Sequence, residues 1–460
     1  VDTELVTLSV VFAALVGAVG RDHATRPPSG GSGVFPDVLD GPTMLGVPMI
    51  VKKAFDFYFR QDLYGHYIQE NPIILSSGSY AESVFGLPDS LKACVRYALD
   101  RNWYGYSDSL GRSSAREALA RLETARGNGT VAYQADNIAV TMGGTAALSS
   151  LVDLIADRSG RGAHAVACVP NYPPLVASMA QRLPTRLVPT PLVNGRISVE
   201  PLLEALREEP AVVLLQVVVN PWGLRVSEMD IARVIAALPA GCFLLLDECH
   251  DTAGPVVAPT PARLHERVLS IRSMSKRWAA PGLKAGWIVA HRGFLDDFYE
   301  HASTTYGGPA SLLYLLLEMY ALLETAQITG TDLSEHKHYL RSEYGVTAER
   351  LATAVEDYFT AADRMARLVT SRREYATARL RAVGIPVLAA EYSINLTVRM
   401  GDTPSYSLYR QLVSEAGVSA FPGLLTMGDC RGVLRISPCL DETMLENALD
   451  RMVAWHVSRR

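Results

Sequence analysis

Residues 268–289 read VLSIRSMSKRWAAPGLKAGWIV. Val268 to Ser273 is a short β-rich run, and Ala285 to Ala290 opens a second one. Between them stand Ser273-Met274-Ser275-Lys276 and Pro281-Gly282-Leu283-Lys284. A lysine just beyond a strand, preceded by two serines, suits covalent capture of an aldehyde. Partial loss of water lowers the pKa of such an amine and frees it as a nucleophile. The same tetrapeptide also describes a surface lysine. Its weight rises because only six of the 43 basic residues are lysines, so each one that remains is informative. Lys284 is a second cation eight residues on, able to pair with a phosphate.

Working outward, the same alternation recurs. Ile138 to Thr141 is a β run ending in Gly143-Gly144, and Thr145 to Ala156 follows with helical apolar spacing. Ala163 to Val169, Ala211 to Val219 (AVVLLQVVV) and Gly241 to Leu246 (GCFLLL) are further strand runs, the middle one a continuous β-branched stretch. Such runs belong to strands buried on both faces. Helical stretches, Pro201 to Glu208 and Ser227 to Leu238, lie between them. The pattern predicts an α/β fold with a mostly parallel sheet and helices on both sides. Ligands in such sheets bind beyond the carboxyl ends of the strands.

Polar residues at those ends form a set. Asp247 closes the GCFLLL strand, where a carboxylate needs a partner. It suits an ion pair with a protonated ring nitrogen, and equally a helix cap. Asn220 precedes Pro221, which keeps it out of a helix and leaves its amide free for a phenolate oxygen, or for an ordinary turn. Gly143-Gly144-Thr145 opens a helix whose free N–H groups make an anion site. Tyr172 follows the 163–169 strand and could stack on a planar heterocycle or pack in the core.

Beyond residue 340 the character changes. Thr347 to Ala382 is a long arginine-rich helical stretch with a solvated face. Ile394 to Val398 and Val433 to Ile436 are short strands, and Asp441 to His456 is a terminal helix. These predict a smaller α/β domain. No internal repeat appears. The apolar run Leu5 to Val19 follows Asp2 and Glu4, not the basic residues of a signal peptide. It is too short for a comfortable membrane span. It reads as a buried helix, with a targeting segment as the alternative, and Arg26 to Val34 as a flexible linker. A net charge of −5 argues against a general nucleic-acid binder. Six cysteines without a CxxC pair argue against a disulfide framework or structural zinc, and for a cytoplasmic setting.

Taken together, the motifs resemble those of the fold type I pyridoxal-phosphate enzymes, the aspartate aminotransferase superfamily, from about Ile74 to the C terminus. The subgroup of class I/II aminotransferases and aminocyclopropanecarboxylate synthases looks nearest. The resemblance implies a seven-stranded-type sheet in a large domain beside a smaller α/β domain. It implies boundaries at 1–40 for an N-terminal appendage, 41–104 for a segment contributing to the small domain, 105–345 for the large domain and 346–460 for the small one.

It also implies roles residue by residue. Lys276 would bind the aldehyde of pyridoxal 5'-phosphate, Asp247 the pyridine nitrogen, Asn220 the ring oxygen and Tyr172 the ring face. Gly144, Thr145, Ser273 and Lys284 would hold the phosphate. Tyr106, in YSDSLG, would reach the phosphate of a second subunit, so the resemblance implies a homodimer with shared active sites. Arg435, in LRIS, and Gly78 would receive the carboxylate of an amino-acid substrate. Arg399 and Arg292 carry no motif but are cations available for a second carboxylate. His250 stands where the family usually has a tyrosine beside the ring oxygen, Lys284 where it has an arginine, and Trp222 where a small residue is common. These departures point to an aminotransferase of specialised metabolism. A carbon–sulfur β-lyase or other elimination enzyme is the second reading, and a non-enzymatic regulator of the same fold a remote third. No nucleic-acid or membrane partner is expected.

Overall fold

The computed structural model describes residues 46–63, 72–251, 253–388, 390–428 and 431–459. Both the apolar run Leu5–Val19 and the linker after it lie outside these residues. The central sheet has seven strands: β1 (Ile138–Thr141), β2 (Ala165–Val169), β3 (Thr185–Pro189), β4 (Val212–Gln216), β5 (Phe243–Asp247), β6 (Val268–Ser273) and β7 (Gly286–Val289). Their order is β1-β7-β6-β5-β4-β2-β3. All neighbours pair in parallel except β7, which is antiparallel to β6 and β1. The fold is therefore α/β with a mostly parallel sheet, as the alternation predicted.

Side-chain period 2 explains why the strands read as continuous apolar runs. Leu214 and Leu245 join the core on one face, while Val213, Leu215, Leu244 and Leu246 join that on the other. Helix α1 (Gly46–Phe57) precedes the sheet. Helix α2 (Ser113–Arg126) covers one face, with Leu119 and Leu122 packed among Val140 and Trp287. Helix α3 (Gly144–Arg158) covers the opposite face through Leu148 and Leu151. Helix α4 (Tyr314–Thr329) lies with α2. Ser311–Thr329 is long and apolar enough to cross a membrane, yet most of it is buried inside the protein.

One strand expectation is corrected and one strand was not anticipated. The 211–219 run is not one strand: β4 stops at Gln216, and Val218–Val219 turns into a hairpin with Leu224–Arg225. The backbone N–H of Val217 donates to Asp247 O at 2.9 Å, the last bond toward β5 before the chain turns away. Strand β3 went unread because it is an edge strand with Arg186 and Pro189 in it and only part of it buried.

Helix α5 (Ala348–Ala382) leads to a four-stranded antiparallel sheet of β8 (Val387–Leu388), β9 (Leu396–Pro404), β10 (Phe421–Pro422) and β11 (Arg431–Ile436), in the order β8-β9-β11-β10. Helix α6 (Glu442–Val457) closes the chain. The early strand Ile73–Ile74 pairs in parallel with Val418–Ser419. Ser437 N donates to Leu75 O at 2.7 Å. These contacts carry residues 76–78 to the end of β11, where Arg435 stands.

Candidate active site

The carboxyl ends of β1, β4, β5 and β6 open into a cavity of about 220 Å³. Lys276, Asp247, Asn220, Tyr172, Gly144 and Arg435 all line it. Residues separated by up to 291 positions in sequence thus converge: those from Gly144 to Lys276 follow strands that end on one edge of the large sheet, and Arg435 comes from β11 of the second sheet.

Lys276 Nζ donates to Gly78 O at 2.5 Å. Burial first, and then the charge of Arg435, lower its pKa from 10.5 to about 8. The cost of a buried ammonium makes the amine a ready nucleophile near neutrality.

Asp247 is buried and held on both oxygens. Gln216 Nε2 donates to Oδ2 at 2.8 Å and the backbone N–H of Cys249 to Oδ1 at 3.0 Å. No cationic side chain pairs with it among the described residues. Gln216 was missed in the sequence, although it is the one polar residue inside AVVLLQVVV and needed a buried partner.

Arg435 Nη1 donates to Asn220 Oδ1 at 3.0 Å and Nη2 to Ser76 O at 2.8 Å. The first bond fixes the Asn220 amide with its NH2 group turned away from the arginine. The guanidinium also lies 4.3 Å from the Phe421 ring centroid. No carboxylate pairs with this arginine among the described residues, and its Nε is buried without a partner. Burial pulls its pKa from 12.5 down to about 10. A buried cation without a counter-charge is costly, and an incoming carboxylate relieves that cost. Gly78 stands against it with φ +61°, and a Cβ there would lie 2.7 Å from Arg435 Nη2.

The anion end is built from α3. Its N-cap is Gly143, with φ +84° and no side-chain cap, so the first N–H groups face the cavity unclaimed by a side chain. Gly144 is closely pressed: a Cβ would meet Cys249 Sγ at 2.5 Å. Thr145, Ser273 and Lys284 line the same cavity. Ser273 Oγ and Ser275 Oγ lie 2.7 Å apart. This glycine cradle, hydroxyl pair and cation fit a phosphate. The neighbouring amine and the cation-free carboxylate fit an aldehyde and a protonated ring nitrogen. The residues present therefore fit pyridoxal phosphate.

Tyr172 lines the cavity, with Phe55 edge-on at 5.5 Å between centroids. Its loop is tied to the C-terminal part by Asn171 N donating to Thr426 O at 2.8 Å. His250 also faces the cavity. Burial, with the charges of Lys276 and Arg435, presses its pKa from 6.5 to about 3. A pKa that low favours the neutral imidazole at neutral pH. Tyr106 is fully exposed and outside the cavity. Trp222 does not reach the cavity either; it packs against the core on the other face of the sheet. Phe55, Phe59, Phe421, Cys249 and Ser275 line the cavity without having been singled out as site residues.

A mostly parallel seven-stranded sheet with this lysine, aspartate and glycine cradle at its carboxyl edge is the arrangement of the fold type I pyridoxal-phosphate enzymes. The chain belongs to the aminotransferase class I and II family, whose model matches residues 70–452. It is 24% identical over 415 residues to an aromatic-amino-acid aminotransferase 2 of Thermococcus litoralis, covering 88% of this chain and 95% of that protein. It is 23% identical over 384 residues to an aspartate aminotransferase of Pyrococcus abyssi, covering 81% and 89%. Among solved structures, an aromatic aminotransferase from Pyrococcus horikoshii superposes with a TM-score of 0.69 at 17% identity, over 89% of this chain and 99% of that one. A Thermus thermophilus aspartate aminotransferase with maleate gives 0.66 at 18% identity, over 90% and 97%.

Proposed function

We propose that this enzyme moves an amino group between an α-amino acid and an α-keto acid, using pyridoxal phosphate held by the residues above. One observation carries the reading. An amine held near pKa 8 and a buried guanidinium without a carboxylate partner share one cavity, as an α-amino acid requires. The cofactor, when bound, supplies an aldehyde for an amine and a ring that accepts the electrons of a broken bond.

Lys276 would hold the aldehyde, Asp247 the ring nitrogen, Asn220 and His250 the ring oxygen, and Tyr172 the ring face. Gly144, Thr145, Ser273 and Lys284 would take the phosphate, and Tyr106 would serve the phosphate of a second copy in a homodimer. Arg435 grips the substrate carboxylate, with Gly78 leaving room for it. Lys276, once free, would take the proton from the substrate α-carbon on Nζ and give it up to the cofactor side rather than back to that carbon, which is what separates amino transfer from racemisation. Burial and the neighbouring cations favour the neutral form of His250, which can donate or accept a hydrogen bond without adding charge. The free thiols of Cys94, Cys168, Cys242, Cys249 and Cys439 support a reducing, cytoplasmic setting, and the three departures support a specialised substrate. The division at 105–345 and 346–460 is supported by the seven-stranded sheet falling in the first range and the four-stranded sheet in the second.

Product analysis with a panel of amino acids, with and without an α-keto acid, tests the reading. Keto-acid product that depends on added acceptor supports amino transfer. Ammonia and sulfide or another expelled group without acceptor would contradict it and favour elimination.

A further inference from the structure

Beyond Arg435 the cavity wall is aromatic. Phe421 lies under the guanidinium at 4.3 Å. Phe55, on α1, is 6.1 Å from Phe421 and 5.5 Å from Tyr172 between centroids, and Phe59 is 4.6 Å from Phe55. Leu148 and Leu175 continue this lining. A carboxylate on Arg435 with an amine near Lys276 leaves the substrate side chain beside these rings.

Charges elsewhere in the lining are already engaged. Its cations among the described residues are Lys276, Lys284 and Arg435. They face the aldehyde, the phosphate and the α-carboxylate. Its one carboxylate, Asp247, is held by Gln216 and the Cys249 N–H. Asp56, near the aromatic wall, is bound by Lys52 at 2.5 Å. The two arginines open to a second carboxylate lie elsewhere. Arg292 is 3.5 Å from Asp136, and Arg399 is 3.2 Å from Asp402.

We infer that the accepted amino acid has one carboxylate and an apolar side chain of aromatic size, selected by Phe55 and Phe59. The inference rests on the amino-transfer reading. A second carboxylate or a cationic group would lose water against the rings and gain no counter-charge from the described residues of this chain. A ring gains burial and edge-to-face contact. Specificity then comes as much from rejecting charge as from attracting a ring.

Calorimetric titration of the cofactor-loaded enzyme with propanoate, 3-phenylpropanoate, glutarate and 4-guanidinobutanoate tests this. The four share a carboxylate, differ beyond it and lack the amine, so they bind without reacting. The expected result is 3-phenylpropanoate binding at least about tenfold tighter than glutarate or 4-guanidinobutanoate. Phe59→Ala should weaken 3-phenylpropanoate by about tenfold and leave propanoate unchanged. Phe59 serves here because Phe55 is more deeply buried and its truncation threatens folding. Glutarate or 4-guanidinobutanoate binding as tightly as 3-phenylpropanoate would overturn the inference, as would an unchanged Phe59→Ala profile. No binding by any of the four to loaded enzyme would overturn it together with the role of Arg435. A preference for 3-phenylpropanoate in an enzyme that makes no keto acid would fault amino transfer alone.

Discussion

Lys276 combines two properties that oppose each other in water: it is a lysine, and its pKa is lowered to about 8, where charged and uncharged amine are equally populated. Burial and the Arg435 charge are the causes, so each makes a measurable contribution. Capture of pyridoxal by the cofactor-free protein should accelerate as pH rises and level off above about 8, because only the neutral amine attacks. Arg435→Met removes a neighbouring cation and should move that inflection upward; stopped-flow absorbance against pH reads it. An inflection unmoved in the variant would mean burial alone sets the amine. Asp247 supports a second expectation. Asp247→Asn keeps the contacts at the anion end and should retain cofactor, yet lose about 10²-fold or more of turnover, since an amide cannot balance a ring proton. Retained cofactor with near-normal turnover would show that Asp247 is not the partner. Asp247 was legible because it closes an apolar strand run, and Lys276 because it stands just beyond a strand, after two serines, in a chain with only six lysines. Arg435 was legible only through its resemblance, since LRIS is an ordinary β sequence. Phe55 and Phe59 could not be read at all: an aromatic pair on an amphipathic helix looks the same whether it faces a core or a cavity.

The elements hold this chemistry by close approach and by buried charge. Gly223, in the turn after Asn220, has φ +68°, and a Cβ there would lie 2.5 Å from Ala390 Cβ. The turn is tied to the C-terminal sheet by Thr397 Oγ1 donating to Pro221 O at 2.9 Å and by Tyr392 N donating to Gly223 O at 3.0 Å. Gly223→Ala should therefore displace Asn220 and loosen the cofactor; equilibrium dialysis of pyridoxal phosphate would show a rise in Kd of about tenfold. One residue past Asp247, Glu248 is buried against Arg263 and Arg272. Those arginines hold its pKa near 2, below the ordinary 4.5. Its stabilisation is complete above pH 4.5 and is lost as pH falls toward 2. Glu248→Gln leaves two guanidinium groups short of a charge and should cost about 3–5 kcal/mol at neutral pH by urea titration. It should also flatten the acid limb of the stability curve. An unchanged midpoint would show that the arginines find other partners. This network was unreadable in the sequence, because Glu248 and Arg263, at the two ends of the 248–263 segment, and Arg272 on β6 meet only after folding.

Across the chain as a whole, the strand alternation announced the mostly parallel sheet, and the order of the motifs announced the family. The ladder order, the antiparallel β7 and the edge strand β3 depended on packing that local periodicity does not encode. Tyr106 carries the expectation for assembly. It is fully exposed in the single chain, so its service to a second copy has a direct readout. Chains carrying Tyr106→Phe mixed with chains carrying Lys276→Ala should form hybrids in which one site has lost both groups and the other keeps both. Activity of the mixture should exceed that of either parent; a mixture no better than its parents would show that Tyr106 acts within its own chain or not at all. The account stands or falls on Lys276. Borohydride reduction of the cofactor-loaded protein, followed by peptide mapping, should place the pyridoxyl label on Lys276 and on none of the other five lysines. A label on another lysine, or none in protein that retains the cofactor, would contradict it.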